Sequence, residues 1–214
     1  MFLLRYPPVG IENWHNLCKA LLLGKGCPMA DIRWFLSGKH PMFADYLNLG
    51  SPSSLALTFN KWVIQGFEQF IGTGGLPKQG CSYRFWGRTG ERHGLILGLL
   101  KESTDSVGRP FPLLILGTSS LPDWQKHRSR LISHLEGIWS RLEEIAAGIY
   151  DRPAAMESDL IRITLPALAG TSPGCTGTAP NTTFIGSCRG KTTTVSFTEP
   201  LTLQDFIRLW TSDS

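Results

Sequence analysis

The sequence predicts an α/β domain on three observations. Two short apolar runs, Gly94-Leu95-Ile96-Leu97-Gly98-Leu99-Leu100 and Leu113-Leu114-Ile115-Leu116-Gly117, read as strands covered on both faces. Two longer segments, Leu55 to Phe70 and Leu131 to Ile149, repeat apolar residues at helical spacing. Turns rich in glycine and proline separate the segments.

With 214 residues, 42% hydrophobic and 18% charged, the chain suits one soluble domain with a sizeable core, or one and a small appendage. Its formal charge of +4 comes without a Lys/Arg run interleaved with aromatics, so no nucleic-acid footprint is present. No apolar run approaches the ~18–20 residues of a membrane span. Arg5 and Pro7-Pro8 follow the first apolar residues at once, and Ala20 to Leu23 is too short for a secretory core. A cytoplasmic protein without membrane insertion is expected. Cys18, Cys27, Cys81, Cys175 and Cys188 are odd in number and widely spaced, with no CxxC pair. Zinc-ribbon and thioredoxin chemistry are therefore unsupported, and reduced thiols are expected.

Residues 1–28 read as an N-terminal extension, with a helical stretch from Ile11 to Leu23 stopped by Gly24, Gly26 and Pro28. The domain reads as opening at Met29, and the segment before it as an upstream read-through or a poorly ordered extension. Ile32 to Leu36 predicts a strand, and Gly38-Lys39-His40-Pro41 a turn. Pro41 to Gly50 predicts a loop or short helix. Ser51-Pro52 supplies an N-cap and an N1 proline for a helix whose face carries Leu55, Phe59, Trp62, Val63, Gly66 and Phe70. The run Gly72 to Pro77 ends it.

Cys81 to Trp86 predicts a strand, and the two central runs predict a hairpin around Lys101 to Arg109. Pro110 and Pro112 lack an N–H, which suits the first residues of a strand or an edge position. From Leu121-Pro122-Asp123 a long helix follows, its stripe formed by Leu131, Leu135, Ile138, Leu142, Ile145 and Ile149 and widened by Ile132, Trp139 and Ala146. So broad a stripe packs on a sheet rather than in a coiled-coil seam. Pro153 to Arg162 predicts a short helix, and Pro166 to Thr183 a long flexible loop. A strand near Phe184-Ile185, a turn at Arg189 to Lys191 and a strand from Thr193 to Phe197 follow. A last helix has Thr202 as N-cap, Asp205 at N3 and an apolar face of Phe206, Leu209 and Trp210. The expected organisation is an extension over 1–28, an α/β core over 29–150, and C-terminal strands and helix over 151–214 packed on the same domain.

Candidate chemistry is sparse. Gly186-Ser187-Cys188-Arg189-Gly190-Lys191-Thr192 has three residues between its first glycine and Gly-Lys where a phosphate loop needs four, and it lies between two strands. It reads as a hairpin turn. Lys39, His40 and Asp45 fall within seven residues and offer acid–base groups, but no nucleophile stands beside them. Asp105 and Arg109 read as an exposed structural pair, with Asp45 another carboxylate within Arg109's choice. His127 and His134 are two helical turns apart, too far for a helical metal pair, and His93 stands alone. No metal or other cofactor is expected.

Two segments together resemble a known family. Gly38-Lys39-His40-Pro41-Met42-Phe43-Ala44-Asp45-Tyr46-Leu47 is similar to the N-terminal signature of the TagF (ImpM-like) proteins associated with bacterial type VI secretion. Asp105-Ser106-Val107-Gly108-Arg109-Pro110-Phe111-Pro112-Leu113 resembles the family's second signature. The resemblance spans about Met29 to Ile149. It implies a three-layer α/β/α arrangement around a mixed, largely antiparallel sheet. It also implies a non-enzymatic cytoplasmic regulator that represses type VI assembly or firing after translation, through a forkhead-associated scaffold protein. No catalytic residue comes with it. Gly38, Lys39, Pro41, Asp45, Asp105, Gly108, Arg109 and Pro112 are then fold determinants or a partner surface. The alternative is a small hydrolase using Lys39, His40 and Asp45 near Arg109, which convergence of these groups in one concave pocket would favour.

Overall fold

A computed structural model of the chain describes residues 31–75, 80–89, 94–121, 124, 128–165, 182–188, 190–198 and 200–211. The expectations for residues 1–28 and for most of the 166–183 loop lie outside the described residues. Seven strands are present among the described residues: β1 (Ile32–Gly38), β2 (Leu47–Gly50), β3 (Cys81–Arg88), β4 (Gly94–Lys101), β5 (Leu113–Ser120), β6 (Thr182–Cys188) and β7 (Lys191–Phe197). Four helices accompany them among the described residues: α1 (Ser54–Gly72), α2 (Arg128–Ala147), α3 (Pro153–Ile161) and α4 (Leu203–Thr211).

The strands form one sheet in the order β2-β1-β5-β4-β3-β6-β7, and every described pairing is antiparallel. The expected mixed sheet is thus corrected to an antiparallel one. The connections explain it. α1 carries the chain from β2 across the β4–β5 hairpin to β3, and α2 with α3 carries it from β5 to β6 beyond β3. No described strand returns parallel beside its predecessor.

The predicted hairpin is β4–β5, with Lys101 opposite Leu113 and Gly94 opposite Ser120. β5 is a central strand, and the two prolines lie just before it, where no ladder N–H is needed. Successive residues of these strands join two separate apolar clusters. Leu95, Leu97, Leu99, Leu113 and Ile115 meet the α2 and α3 residues Leu131, Leu135, Trp139, Leu142 and Met156. Ile96, Leu100, Leu114 and Leu116 meet Phe59, Trp62, Val63 and Phe67 of α1 with Phe206 and Trp210 of α4. Both clusters bury strand residues almost completely, which is why the two central runs read as apolar throughout.

Several local expectations change. Leu47–Gly50 is a strand paired with the end of β1, too short for its alternation to register. The N-cap of α1 is Ser53, whose Oγ accepts the Ala56 N–H at 3.2 Å, rather than Ser51; Pro52 lies in the extended approach. Ile149 falls beyond the end of α2 and is 86% exposed, outside the buried stripe. Thr182 and Thr183 belong to β6 rather than to a loop. Cys81 and Cys188 face each other in the β3–β6 register and are joined as a disulfide, against the expected reduced thiols. Their separation of 107 residues hides that pairing from the sequence. The capping box of α4 is as expected: the Thr202 N–H donates to Asp205 Oδ2 at 2.8 Å, and the Asp205 N–H donates to Thr202 Oγ1 at 3.2 Å. Among the described residues no helix is long and apolar enough to cross a membrane.

Candidate functional site

Both signature segments leave the sheet at one end, where β1 and β4 finish and β5 begins. The β4–β5 connection is closed by its own backbone. The Asp105 N–H donates to the Arg109 carbonyl at 3.1 Å, and the Gly108 N–H donates back to the Asp105 carbonyl at 3.0 Å. Gly108 supplies the positive φ of 85° that this turn demands.

The Asp105 carboxylate is the centre of the cluster and its side chain has no exposed surface. Oδ1 accepts the N–H groups of Val107 at 3.1 Å and Arg109 at 2.8 Å. Oδ2 accepts Arg109 Nε at 2.6 Å and faces Lys39 Nζ at 3.1 Å. Burial works against ionisation of this carboxyl. The Arg109 N–H, the Lys39 ammonium, the Arg109 guanidinium and the Val107 N–H outweigh it and hold the group well below the usual carboxylate range. The expected Asp105–Arg109 pair is present, but its carboxylate is buried rather than exposed, and Lys39 joins it.

Lys39 reaches Asp105 because β1 ends in close backbone contact with β5. Gly38 has φ of 130°, and a Cβ there would lie 2.1 Å from the Pro112 carbonyl oxygen. Pro112 thus takes part through its backbone, at the entry to β5. Pro41 follows His40 in a turn closed by the Phe43 N–H donating to the His40 carbonyl at 3.0 Å, a position its fixed φ suits. The two loops are then joined directly. The Ser106 N–H donates to the Phe43 carbonyl at 2.9 Å, and Arg109 Nη2 donates to the Ala44 carbonyl at 2.9 Å. Both acceptors are backbone atoms, which residue types in a sequence do not reveal. The 65 residues between Lys39 and Asp105 conceal the second cation equally well.

The acid–base trio does not converge. Lys39 is committed to Asp105. His40 is 1% exposed, accepts the Met42 N–H on Nδ1 at 3.3 Å, and packs its ring near those of Phe43 and Tyr150. Burial lowers its pKa; the Ile145 backbone partly opposes this and Lys101 adds to it. Asp45 lies exposed on the loop, and Arg109 pairs with Asp105 in its place. Neither of two open clefts, one of about 790 Å³ that includes Arg33, Ser53 and Thr118 and one of about 270 Å³ that includes His134, Arg141 and Arg162, is lined by a signature residue. Gly186 to Lys191 is the β6–β7 hairpin, as its spacing predicted. No cluster of three or more metal-binding side chains occurs among the described residues.

Residues 35–163 match the family described as TagF N-terminal domain, type VI secretion system-associated. That interval holds both loops and the whole Asp105 cluster. Comparison with curated proteins gives no match. Among solved structures, PA0076 from Pseudomonas aeruginosa PAO1 is similar in fold, with a TM-score of 0.60 at 18% identity over 85% of this chain and 95% of that one.

Proposed function

The chain belongs to the TagF family of type VI secretion-associated proteins, and from that premise we propose that it is a non-enzymatic, cytoplasmic, ImpM-like regulator. It restrains assembly or firing of the secretion machine by binding another protein, a forkhead-associated scaffold. We read its two apolar clusters as helices covering opposite faces of the sheet, the three-layer arrangement that the family resemblance implies. Gly38, Lys39, Pro41, Asp45, Asp105, Gly108, Arg109 and Pro112 then serve to build and present a surface.

One observation carries this reading. The charged groups that a reaction centre would use are consumed in holding two loops together: Asp105 is buried with its oxygens occupied, and Lys39 is bound to it. A hydrolase would need His40 at the surface of a concave site, and its ring is buried against Phe43 and Tyr150. The Cys81–Cys188 disulfide runs against the rule that cytoplasmic thiols stay reduced. Both cysteines are buried, away from a soluble reductant.

The test is genetic and biochemical together. Deleting the gene in the native bacterium is expected to raise release of type VI substrates, and affinity purification of the full chain is expected to recover the forkhead-associated protein. Unchanged secretion, with hydrolase activity in the purified chain, would overturn the reading.

A further inference from the structure

We propose that the two signature loops, with the α2–α3 connection beside them, form a docking surface for a partner protein that packs an apolar side chain, flanked by a carboxylate and a cation, against the exposed tips Met42 and Val107. This rests on the regulatory reading above and locates the contact within it.

The turn Asp105-Ser106-Val107-Gly108 is closed by its own hydrogen bond, and Val107 occupies its third position with 68% of its surface exposed. Met42 holds the third position of the neighbouring turn, His40 to Phe43, and is 41% exposed. The Ser106-to-Phe43 hydrogen bond of 2.9 Å sets these two tips side by side. Ile149, 86% exposed, precedes Tyr150, whose ring lies 6.1 Å from that of His40. Single exposed apolar residues are ordinary. Turn tips, however, favour glycine, proline, asparagine, aspartate and serine. A β-branched residue and a methionine at adjoining tips break that local rule twice in one place, as functional sites do.

The base beneath these tips is rigid. Asp105 binds four donors from two loops, so the surface is preformed and loses little freedom on binding. The charges specify the occupant. Arg109 keeps 63% of its side chain exposed; Nε and Nη2 are used within the chain, while Nη1 makes no hydrogen bond among the described residues. It offers outward donors to a carboxylate. Asp45, exposed beside Ala44, has no ion pair among the described residues and calls for a cation.

The test uses the full chain in the native bacterium lacking its own copy. Met42→Asp combined with Val107→Asp is expected to keep the wild-type melting temperature and to release secretion to the level of the deletion strain. Leu57→Asp, at a 53% exposed apolar position on α1, is the control and should restrain secretion as the wild type does. Should the double aspartate variant fold poorly, Met42→Gln with Val107→Thr keeps the shapes and is expected to show the same loss. A folded variant that restrains secretion fully, or an equal loss with Leu57→Asp, overturns the surface and leaves the regulatory reading standing. A wild-type chain that does not restrain secretion overturns the regulatory reading, and the surface with it.

Discussion

Substituting alanine at Gly38 should damage the protein far more than the same change at Gly108, although both glycines have positive φ. At Gly108, with φ of 85°, no atom lies within 4 Å of an added Cβ, so only backbone strain arises, about 1–2 kcal/mol. At Gly38 the φ is 130° and the added Cβ would stand 2.1 Å from the Pro112 oxygen and 2.9 Å from Leu113 Cα. Both obstacles are backbone atoms where β5 begins, and β5 is held between β1 and β4, so neither can swing aside. Backbone strain of about 1–3 kcal/mol and an overpacking cost of about 1–3 kcal/mol then combine to roughly 2–6 kcal/mol. Against a domain stability of about 5–15 kcal/mol that is a large loss. Urea unfolding should show the midpoint falling with the slope unchanged. If Gly38→Ala and Gly108→Ala prove equal within about 0.5 kcal/mol, the close approach of β1 to β5 is not what holds Lys39 in place.

Other perturbations probe the same cluster. Arg109→Ala should stay folded but melt roughly 2–6 °C lower, since it loses a charge-assisted contact from a partly exposed side chain while Lys39 and two N–H groups still serve Asp105; differential scanning calorimetry measures this. An unfolded variant would remove Arg109 from the surface and assign it to the fold. The Asp105→Asn variant tests linkage. The folded-state pKa of Asp105 is depressed below its ordinary 3.8, so its stabilisation is present above that value and is lost as pH falls through the folded pKa. Wild type should therefore exceed the variant in stability by a constant margin from pH 7 to about 5, and the margin should shrink progressively below that, as the unfolded chain takes up the proton that the folded one refuses. Alkylation of the unfolded, unreduced chain should leave Cys81 and Cys188 unmodified by mass spectrometry, and labelling of both would show that the pair is reduced.

What the sequence disclosed follows from how each feature is encoded. β4 and β5 are buried on both faces, so their apolar runs are continuous, and α2 repeats its stripe from Leu131 to Ile145, about four turns. β2 is four residues long and owes its conformation to pairing with β1, which no local pattern records. Two serines flank Pro52, and the N-cap is Ser53 rather than Ser51, as its Oγ accepts the Ala56 N–H. At the site, the Asp105–Arg109 pair was legible because it is local, at i and i+4. Its burial was not, since Lys39 comes from another strand and the loops are joined through the carbonyls of Phe43 and Ala44. His40 looked like an acid–base group by type and is a buried packing residue by position.

The claim underlying all of this is that Asp105 is a permanently ionised tie between two loops, not a group that exchanges protons. Carbon-13 NMR of its carboxyl carbon, followed from pH 7 downward, tests it most directly. No titration is expected through the ordinary carboxylate range around 3.8, the change beginning only at more acidic pH or with unfolding. A midpoint at or above 3.8 in the folded protein would contradict it, because a raised pKa is what a general acid requires.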